Sequence, residues 1–142
     1  MKQSFSEKQI IDMTRQEESI IQSKQKYLND INRVLKDVII SAEGLKEISK
    51  KPETVMVKLG PGILVEAKIT DFVNCSRAFS DNGYQKSTIK DTIDWLDKKK
   101  TNLEEQLTKV NTDLAQSRQK LNQLIGIIKQ IEMEKSKNIS VK

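Results

Sequence analysis

The sequence contains no histidine and a single cysteine, Cys75. An intrachain disulfide, a zinc site of cysteines and histidines, a catalytic triad and a histidine general base therefore cannot be built from this chain. It also has no G-x-x-x-x-G-K-[ST] sequence, the phosphate-binding loop of many nucleotide-hydrolysing proteins. The carboxylates and lysines that remain have no predicted pocket around them, so we expect no catalysis, no cofactor and no metal site.

Glycine, proline and aromatic residues are scarce as well. The 142 residues include 5 Gly and 2 Pro, and Phe, Trp and Tyr together make up 4%. A β-sandwich or barrel needs many turns, so this composition argues against both. Hydrophobic residues at 36% and charged residues at 32% favour an elongated, mainly helical protein.

Long hydrophobic runs and blocks of one charge are missing too. No apolar stretch approaches the roughly 20 residues of a membrane span, and residues 1–5 lack the apolar core of a signal peptide. Apart from residues 98–100, basic and acidic residues are interleaved, which is typical of a solvated helix surface. We therefore expect a cytoplasmic protein that binds neither membranes nor nucleic acid. The alternative of a basic, nucleic-acid-associated coiled coil predicts binding that weakens steeply with salt.

The apolar residues that are present predict two long helices. Over residues 6–50 they recur every third or fourth position, and from Leu28 to Leu45 the steps alternate as in a coiled-coil seam. Towards the N-terminus of this helix, Glu17 and Lys24 interrupt the apolar pattern. Pro52 ends the helix, because the residue before a proline is disfavoured in helical geometry.

The second helix is predicted over residues 88–135, with Ser87 or Thr88 as its cap. Only Lys100 and Ser117 break its heptad pattern, whose seam positions are Ile93, Lys100, Leu107, Leu114, Leu121, Ile128 and Leu96, Leu103, Val110, Ser117, Leu124, Ile131. The matched lengths predict that the helices pair antiparallel, as in a helical hairpin. Residues 136–142 have low hydrophobicity and are predicted to form a flexible tail.

A β insert is predicted between the helices, over residues 54–86. Strands at 54–59 and 63–69 flank a turn at 60–62, and a second pair is predicted at about 75–80 and 84–86. One face of the first hairpin would be apolar and is predicted to serve oligomerisation; it consists of Val55, Val57, Leu59, Ile63, Val65, Ala67 and Ile69. Because a lone hairpin leaves such a face in water, we expect the insert of another subunit to cover it.

Residues 54–107 carry a resemblance to a known family. The run Val55–Ile69, Gly83-Tyr84 and the run Thr88–Leu96 resemble the α-type subunit of prefoldin, most closely the archaeal one and relatives of prefoldin subunit 5. The resemblance implies one prefoldin-like domain over residues 1–142, mainly α with a small β insert. A four-strand insert is the mark of the α class, and a single hairpin that of the β class.

The resemblance also implies partners and a function. Prefoldins form hetero-hexamers of two α and four β subunits, in which the inserts, including that of the other α subunit, build a platform that carries the coiled-coil arms. They are ATP-independent holdases that capture unfolded client proteins at the arm tips and deliver them to a group II chaperonin. The main alternative is a structural coiled-coil scaffold, such as a filament-forming relative.

More apolar residues lie at the predicted arm tips than a two-helix seam needs. The candidate client-binding residues are Phe5, Ile10, Ile11, Met13, Ile125, Ile127, Ile128, Ile131 and Met133. Ile11, Ile125 and Ile127 are surplus to the seam, and methionine suits promiscuous contacts. Ordinary seam packing is the alternative interpretation of the same residues.

Overall fold

The computed structural model describes residues 5–140, with side chains through residue 137. Its elements in chain order are α1 (Glu7–Ser49), β1 (Val55–Gly60), β2 (Ile63–Ala67), β3 (Asn74–Ser80), β4 (Gly83–Thr88) and α2 (Ile89–Ser140). The predicted fold class of two long helices joined by β-hairpins is confirmed. Both hairpins of the insert are formed.

The chain divides into two compact units. The terminal unit comprises the residues up to Asn32 and those from Glu105 onward, and the insert unit comprises Arg33–Glu104. Each contains a part of both helices, and the insert unit also contains the four strands.

In the terminal unit, the start of α1 packs antiparallel to the end of α2. Tyr27 Oη donates to Gln106 Oε1 at 3.4 Å, while much nearer the chain ends the Lys135 ammonium pairs with the Glu7 carboxylate. The apolar core of this unit lies on the predicted seam positions and consists of Ile10, Ile31, Val110, Leu114 and Leu124. Leu114 is the most deeply buried, at 2% exposure. The seam is therefore a real core, as the heptad pattern predicted.

The two helices also pack antiparallel in the insert unit. Lys46 Nζ lies 3.5 Å from Asp97 Oδ1. The core of this unit is formed by Val38, Ala42 and Leu96, with Leu45 and Leu103 packed against them. Ala42 of α1 and Leu96 of α2 belong to one cluster, as expected for helices that pack against each other.

Polar side chains fix the first residue of each helix. The Ser6 N–H donates to Gln9 Oε1 at 2.8 Å and the Gln9 N–H donates to Ser6 Oγ at 3.2 Å, which is a reciprocal capping box. At α2 the Asp91 N–H donates to Thr88 Oγ1 at 3.1 Å. Of the two predicted caps, Thr88 is the one used, and Ser87 lies in β4.

The end of α2 differs from the prediction. The helix continues to Ser140, so residues 136–140 are helical and not an irregular tail, while residues 141–142 lie outside the described part of the chain. Adding a turn to an existing helix requires no new nucleation, so low hydrophobicity alone does not end it. Lys137 in the last turn also complements the partial negative charge of the helix C-terminus.

The end of α1 places a lysine in an uncommon backbone conformation. The Lys51 N–H donates to the Ile48 carbonyl at 2.9 Å, with Lys51 at a φ of 57°. A helix often ends on a left-handed residue, but that residue is usually glycine because a Cβ is strained there. Lys51 thus closes the helix at some conformational cost just before Pro52.

The four strands form two separate antiparallel hairpins, which we call hairpin 1 (β1 and β2) and hairpin 2 (β3 and β4). In hairpin 1, Val57 stands opposite Val65, and Gly62 in the turn has a φ of 74°. A proline followed by a left-handed glycine is the combination that a type II turn requires. The turn consists of Pro61 and Gly62, and Gly60, which was predicted as part of it, is the last residue of β1 and pairs with Ile63.

Hairpin 2 contains a close approach that only glycine allows. Its register pairs Ala78 with Tyr84 and Ser80 with Gly83, which leaves Phe79 in a bulge. A Cβ added to Gly83 would lie 2.7 Å from Phe79 Cζ. Gly83 therefore lets the exposed phenyl ring lie across the neighbouring strand.

Replacement of Lys51 by glycine should stabilise the protein. Lys51→Gly removes the strain of the left-handed conformation and should raise the free energy of unfolding by about 1 kcal/mol, measured by denaturant unfolding followed by circular dichroism. Lys50→Gly is the matched control, since Lys50 does not have a positive φ. That variant should be no more stable than the parent, and a gain at position 50 equal to that at 51 would contradict the explanation.

Candidate functional site

Hairpin 1 presents the predicted apolar face to solvent. The register places Val55 and Ala67, and Val57 and Val65, in directly opposed pairs, whose side chains share one face. Leu59 is 66% exposed and Ile63 56% exposed. Among the side chains of residues 5–137, none therefore covers this face over much of its area.

Ile69 does not belong to this face as predicted. Strand β2 ends at Ala67, and Ile69 lies in the segment that follows. In the observed register Ile69 would stand opposite Glu53, which directly follows Pro52. Proline has no N–H to donate, and residues near it connect α1 to β1, so the ladder ends before Ile69.

The opposite face of hairpin 1 is more apolar than the alternating pattern predicted. Lys58 and Glu66 lie there as expected, but Met56 and Leu64 share that face and are each 60% exposed. A simple division into one apolar and one polar face therefore missed a second group of exposed apolar side chains.

Hairpin 2 adds exposed apolar and aromatic surface of its own. Phe79 is 68% exposed and Tyr84 73%, and Val73, which directly precedes β3, is 63% exposed. The sequence patterns indicated no role for Val73 or Phe79, whereas Tyr84 was part of the resemblance to prefoldin. Their signal in the sequence is weak, because Phe79 lies in a bulge that interrupts strand alternation.

Hairpin 2 is fastened to the start of α2 by hydrogen bonds. The Ile89 N–H donates to the Val73 carbonyl at 2.7 Å. The Thr92 hydroxyl donates to the Thr88 carbonyl at 2.8 Å, and its oxygen lies 3.3 Å from Cys75 Sγ and 3.2 Å from Ser87 Oγ. Both strands of hairpin 2 thus contact the same buried threonine of the helix.

Trp95 provides a further contact between hairpin 2 and α2. The Arg77 guanidinium carbon lies 4.5 Å from the centroid of the Trp95 ring, and Lys99 Nζ lies 5.0 Å from it. Such cation–π contacts contribute about 0.5–1 kcal/mol at exposed sites. They link β3 to the first turns of α2 and help to fix the direction of hairpin 2 in the insert unit.

Asp71 organises the segment that leads into β3. Its Oδ1 accepts from the Val73 N–H at 2.8 Å and the Asn74 N–H at 3.0 Å, and its Oδ2 accepts from the Asn74 side-chain amide at 3.2 Å. These donors, the Asn74 N–H first, favour the charged carboxylate and hold the pKa of Asp71 below its ordinary value of 3.8.

The candidate client-binding residues belong to the terminal unit and differ in exposure. Phe5 is 45% exposed, Ile127 43% and Met133 63%, whereas Ile10 is buried at 6%. The others are partly buried: Ile11, Met13, Ile125, Ile128 and Ile131. Phe5 and Met13 also line a shallow cavity of about 270 Å³ on α1. The unit therefore combines an apolar surface with a closed seam.

The described residues offer little for metal or membrane chemistry. Over residues 5–140, no group of three or more Cys, Asp or Glu side chains is placed to hold a metal ion. Within the same residues, neither helix has a stretch long and apolar enough to cross a bilayer.

Two long helices that pack antiparallel and are joined by hairpins with exposed apolar faces define a coiled-coil protein with a β insert. The prefoldin subunit family model matches residues 17–134, so the chain belongs to the prefoldin family. The family is one of chaperones, which supports a chaperone-like role for this chain.

The fold is similar to that of a solved prefoldin structure. The chain matches the cryo-EM structure of filamentous prefoldin from Methanocaldococcus jannaschii with a TM-score of 0.63 and 16% identity, covering 81% of this chain and 97% of the other. At this identity the likeness concerns the fold alone. No curated protein matches the sequence significantly.

The Asp71 contacts predict a pH-dependent contribution to stability. A carboxyl whose pKa is lower in the folded state stabilises the fold above its unfolded pKa, and this contribution is lost as the pH falls through the folded pKa. The parent should therefore be more stable than Asp71→Asn near pH 7, and the difference should shrink steadily as the pH is lowered below 3.8, measured by denaturant unfolding at several pH values.

The neighbouring Thr70→Ala variant serves as a control, because no carboxyl is changed. Its stability difference from the parent should not vary with pH in this window. A constant difference for Asp71→Asn down to the lowest pH would show that the carboxylate charge is not responsible.

Proposed function

We propose that this chain is the α-type subunit of an ATP-independent holdase. In this proposal it assembles with β-type subunits into a hetero-hexamer of two α and four β chains in the cytoplasm. The terminal units capture non-native proteins, which are passed to a group II chaperonin. The observation that carries the proposal is the pair of hairpins with uncovered apolar faces in a prefoldin-family chain.

The exposed hairpin faces support assembly through the insert. A two-stranded hairpin is marginally stable in water, and within residues 5–140 neither hairpin has a third strand at its edges. Leu59 and Ile63, on the proposed interface, are each more than half exposed. Burial of one such side chain contributes about 1.5–3 kcal/mol, so pairing with neighbouring inserts has a strong apolar driving force.

The number of strands supports the α type. Hairpin 2 is complete, and four strands are what the resemblance associates with the α class. Its fastening to Thr92 and Trp95 gives this second hairpin a defined direction from which it can meet another insert. A second α-type insert is the proposed partner across this surface.

The terminal unit supports client capture. Phe5, Ile127 and Met133 provide separated apolar contacts on a polar helix surface, which suits weak binding to many exposed apolar segments. Holding a client in this way requires neither a nucleotide nor a covalent step.

A filament-forming scaffold is the second candidate function. The specific observation in its favour is the similarity in fold to a filamentous prefoldin. Filaments arise when subunits associate through two different surfaces and the arrangement does not close. Mass measurement of the chain, alone and with a β-type partner, separates the two: a defined hexamer supports the holdase, and open-ended polymers support the scaffold.

Substitution on hairpin 1 should distinguish the assembling face. Val57→Lys places a charge on the proposed interface and should reduce the assembled mass toward that of single chains, measured by native mass spectrometry. Met56→Lys is the matched control, since Met56 is the adjacent residue of β1 on the opposite face. Equal dissociation by both variants would refute the assignment of the face.

Substitution at the terminal unit should weaken client capture without unfolding. Ile127→Lys with Met133→Lys should reduce suppression of aggregation of reduced lysozyme, followed by light scattering without ATP, by about threefold or more. Stability should change by no more than about 0.5 kcal/mol per site, because both side chains are exposed.

Ile40→Lys is the control for this experiment. Ile40 is 56% exposed on α1 but belongs to the insert unit. It should leave suppression unchanged. If Ile40→Lys is as harmful as the terminal pair, capture is not confined to the terminal unit, and if neither has an effect the proposed surface is wrong.

A further inference from the structure

The turn of hairpin 2 contains an asparagine followed directly by a glycine. Asn82-Gly83 is the single Asn-Gly dipeptide of the sequence. The backbone nitrogen of the residue after an asparagine can attack the asparagine side-chain carboxamide. Glycine hinders this attack least, because it has no Cβ and the widest range of backbone conformations. The dipeptide therefore has the residue types for a reaction within the chain itself.

The fold requires the glycine of this dipeptide. A Cβ added to Gly83 would lie 2.6 Å from Ser80 Oγ and 2.7 Å from Phe79 Cζ, closer than non-bonded heavy atoms approach one another. A larger residue at this position would have to displace the phenyl ring from the neighbouring strand. The close contact of hairpin 2 and the reactive dipeptide thus depend on the same residue.

The dipeptide lies where hairpin 2 opens most easily. Asp81 and Asn82 are the two residues between β3 and β4, and Ser80 and Gly83 form the last pair of the ladder. The bulge at Phe79 separates this last pair from the regular ladder. Opening of one terminal pair requires less free energy than opening of a whole strand or helix. The Gly83 nitrogen therefore becomes available at a low cost.

The Asn82 side chain is free to react. It is exposed to water, and it makes no hydrogen bond to the side chains and backbone of the described residues. Asn82 also lacks the left-handed conformation of a type I′ turn, since Lys51 is the single described residue other than glycine with a positive φ. The turn therefore does not hold this asparagine in the conformation that an Asn-Gly hairpin usually adopts.

The other asparagines are held more firmly. Asn74 Nδ2 donates to Asp71 Oδ2 at 3.2 Å. The rest lie within α1 and α2, where the N–H of the following residue donates to a carbonyl of the preceding turn; they are Asn29, Asn32, Asn102, Asn111, Asn122 and Asn138. For these residues the attacking nitrogen is released only when the helix opens locally.

We propose that Asn82 is a site of spontaneous covalent modification through a succinimide. The Gly83 nitrogen attacks Asn82 Cγ, so a bond forms between these two atoms and the bond from Cγ to the side-chain nitrogen breaks. The proton of the backbone amide leaves with that nitrogen as ammonia. Water then opens the cyclic imide at either carbonyl carbon, which gives aspartate or isoaspartate. Water is the single co-reactant, and no electrons are transferred.

Both products change the end of hairpin 2 that has its exposed aromatic residues. Each product adds a carboxylate next to Asp81, and isoaspartate also lengthens the backbone of the turn by a methylene group. Phe79 and Tyr84 lie on either side of this turn and are 68% and 73% exposed. A new charge there disfavours burial of the two rings, so the modification should weaken assembly through hairpin 2, an effect that rests on the proposed function.

Peptide mapping of the incubated full-length protein tests the modification. Trypsin cleaves after Arg77 and Lys86, so the peptide 78–86 contains Asn82 and no other asparagine. Mass spectrometry should show that this peptide is converted faster in mildly alkaline than in neutral buffer, because the attacking amide must lose its proton. Isoaspartate, detected by enzymatic methylation of its carboxylate, should be among the products.

The helical asparagines are the controls within the same sample. Conversion of Asn82 should be at least about tenfold faster than that of Asn102, Asn111 and Asn122, because their ring closure requires local opening of α2. Asn82→Gln is the control variant, since glutamine would have to close a larger and less favourable ring. The corresponding peptide of this variant should stay unconverted during the same incubation.

Two results would overturn the proposal. If Asn82 stays intact in the folded protein but is converted in guanidinium chloride, the hairpin protects the dipeptide and the site does not exist in the native chain. If aspartate forms without isoaspartate, the carboxamide is hydrolysed directly and no succinimide is involved.

The effect on assembly is measured separately, by native mass spectrometry with a β-type partner. After incubation the assembled fraction of the parent should be about twofold lower than that of Asn82→Gln. Equal assembly of the two incubated proteins would refute the effect on assembly. If the fresh parent does not assemble at all, the proposed function is rejected together with this effect, whereas peptide mapping still decides whether Asn82 is modified.

Discussion

Burial of apolar side chains along the antiparallel helix seam is the interaction on which both units depend. The described hydrophobic core lies on that seam, including Ile89 one heptad before Leu96, and its most buried residue is Leu114. A seam of single side chains per turn is a narrow core, so each position has a large share of the stability.

The hairpins, in contrast to the helix seam, are held together mainly by backbone hydrogen bonds. Their backbone groups are paired across each ladder, yet many of their apolar side chains remain exposed. Hydrogen bonding thus determines the local fold, whereas the apolar faces still lack a partner. Such an arrangement suits hairpins that fold within one chain while their apolar faces stay available for contact with other chains. It also explains why hairpin 2 is held by Thr92 and Trp95, since without such contacts its direction would be poorly defined.

Sequence periodicity predicted the long elements well because their signal repeats. Five heptads on α2 and the turn residues 60–62 were enough for the helices and hairpin 1. The predictions that were wrong concern residues whose structure depends on a long-range contact or on where a strand or helix ends. Ile69 was placed in β2 because the apolar alternation continues past the last residue that β1 can pair with. The irregular tail was expected from composition, although an existing helix extends readily through polar residues.

The candidate client-binding residues were predicted only in part, because a sequence pattern does not give the exposure of a side chain. An apolar pattern identifies residues such as Ile10 and Ile127 as a set, but exposure depends on the partner helix, and these two differ between 6% and 43%. Glu17 was visible as an interruption of the seam, yet its depth of burial could only be measured on the folded chain. The contact between Arg77 and Trp95 depends on the register of hairpin 2 against α2, which no local pattern encodes.

The position of Trp95 has a practical consequence. It is the single tryptophan of the chain, and its indole contacts the Arg77 guanidinium of β3 and the Lys99 ammonium of its own helix. Fluorescence excited at the long-wavelength edge of the indole absorption band therefore originates only from the contact between hairpin 2 and α2. An experimenter can follow detachment of hairpin 2 from the helix optically, without a label, while circular dichroism independently follows the helices.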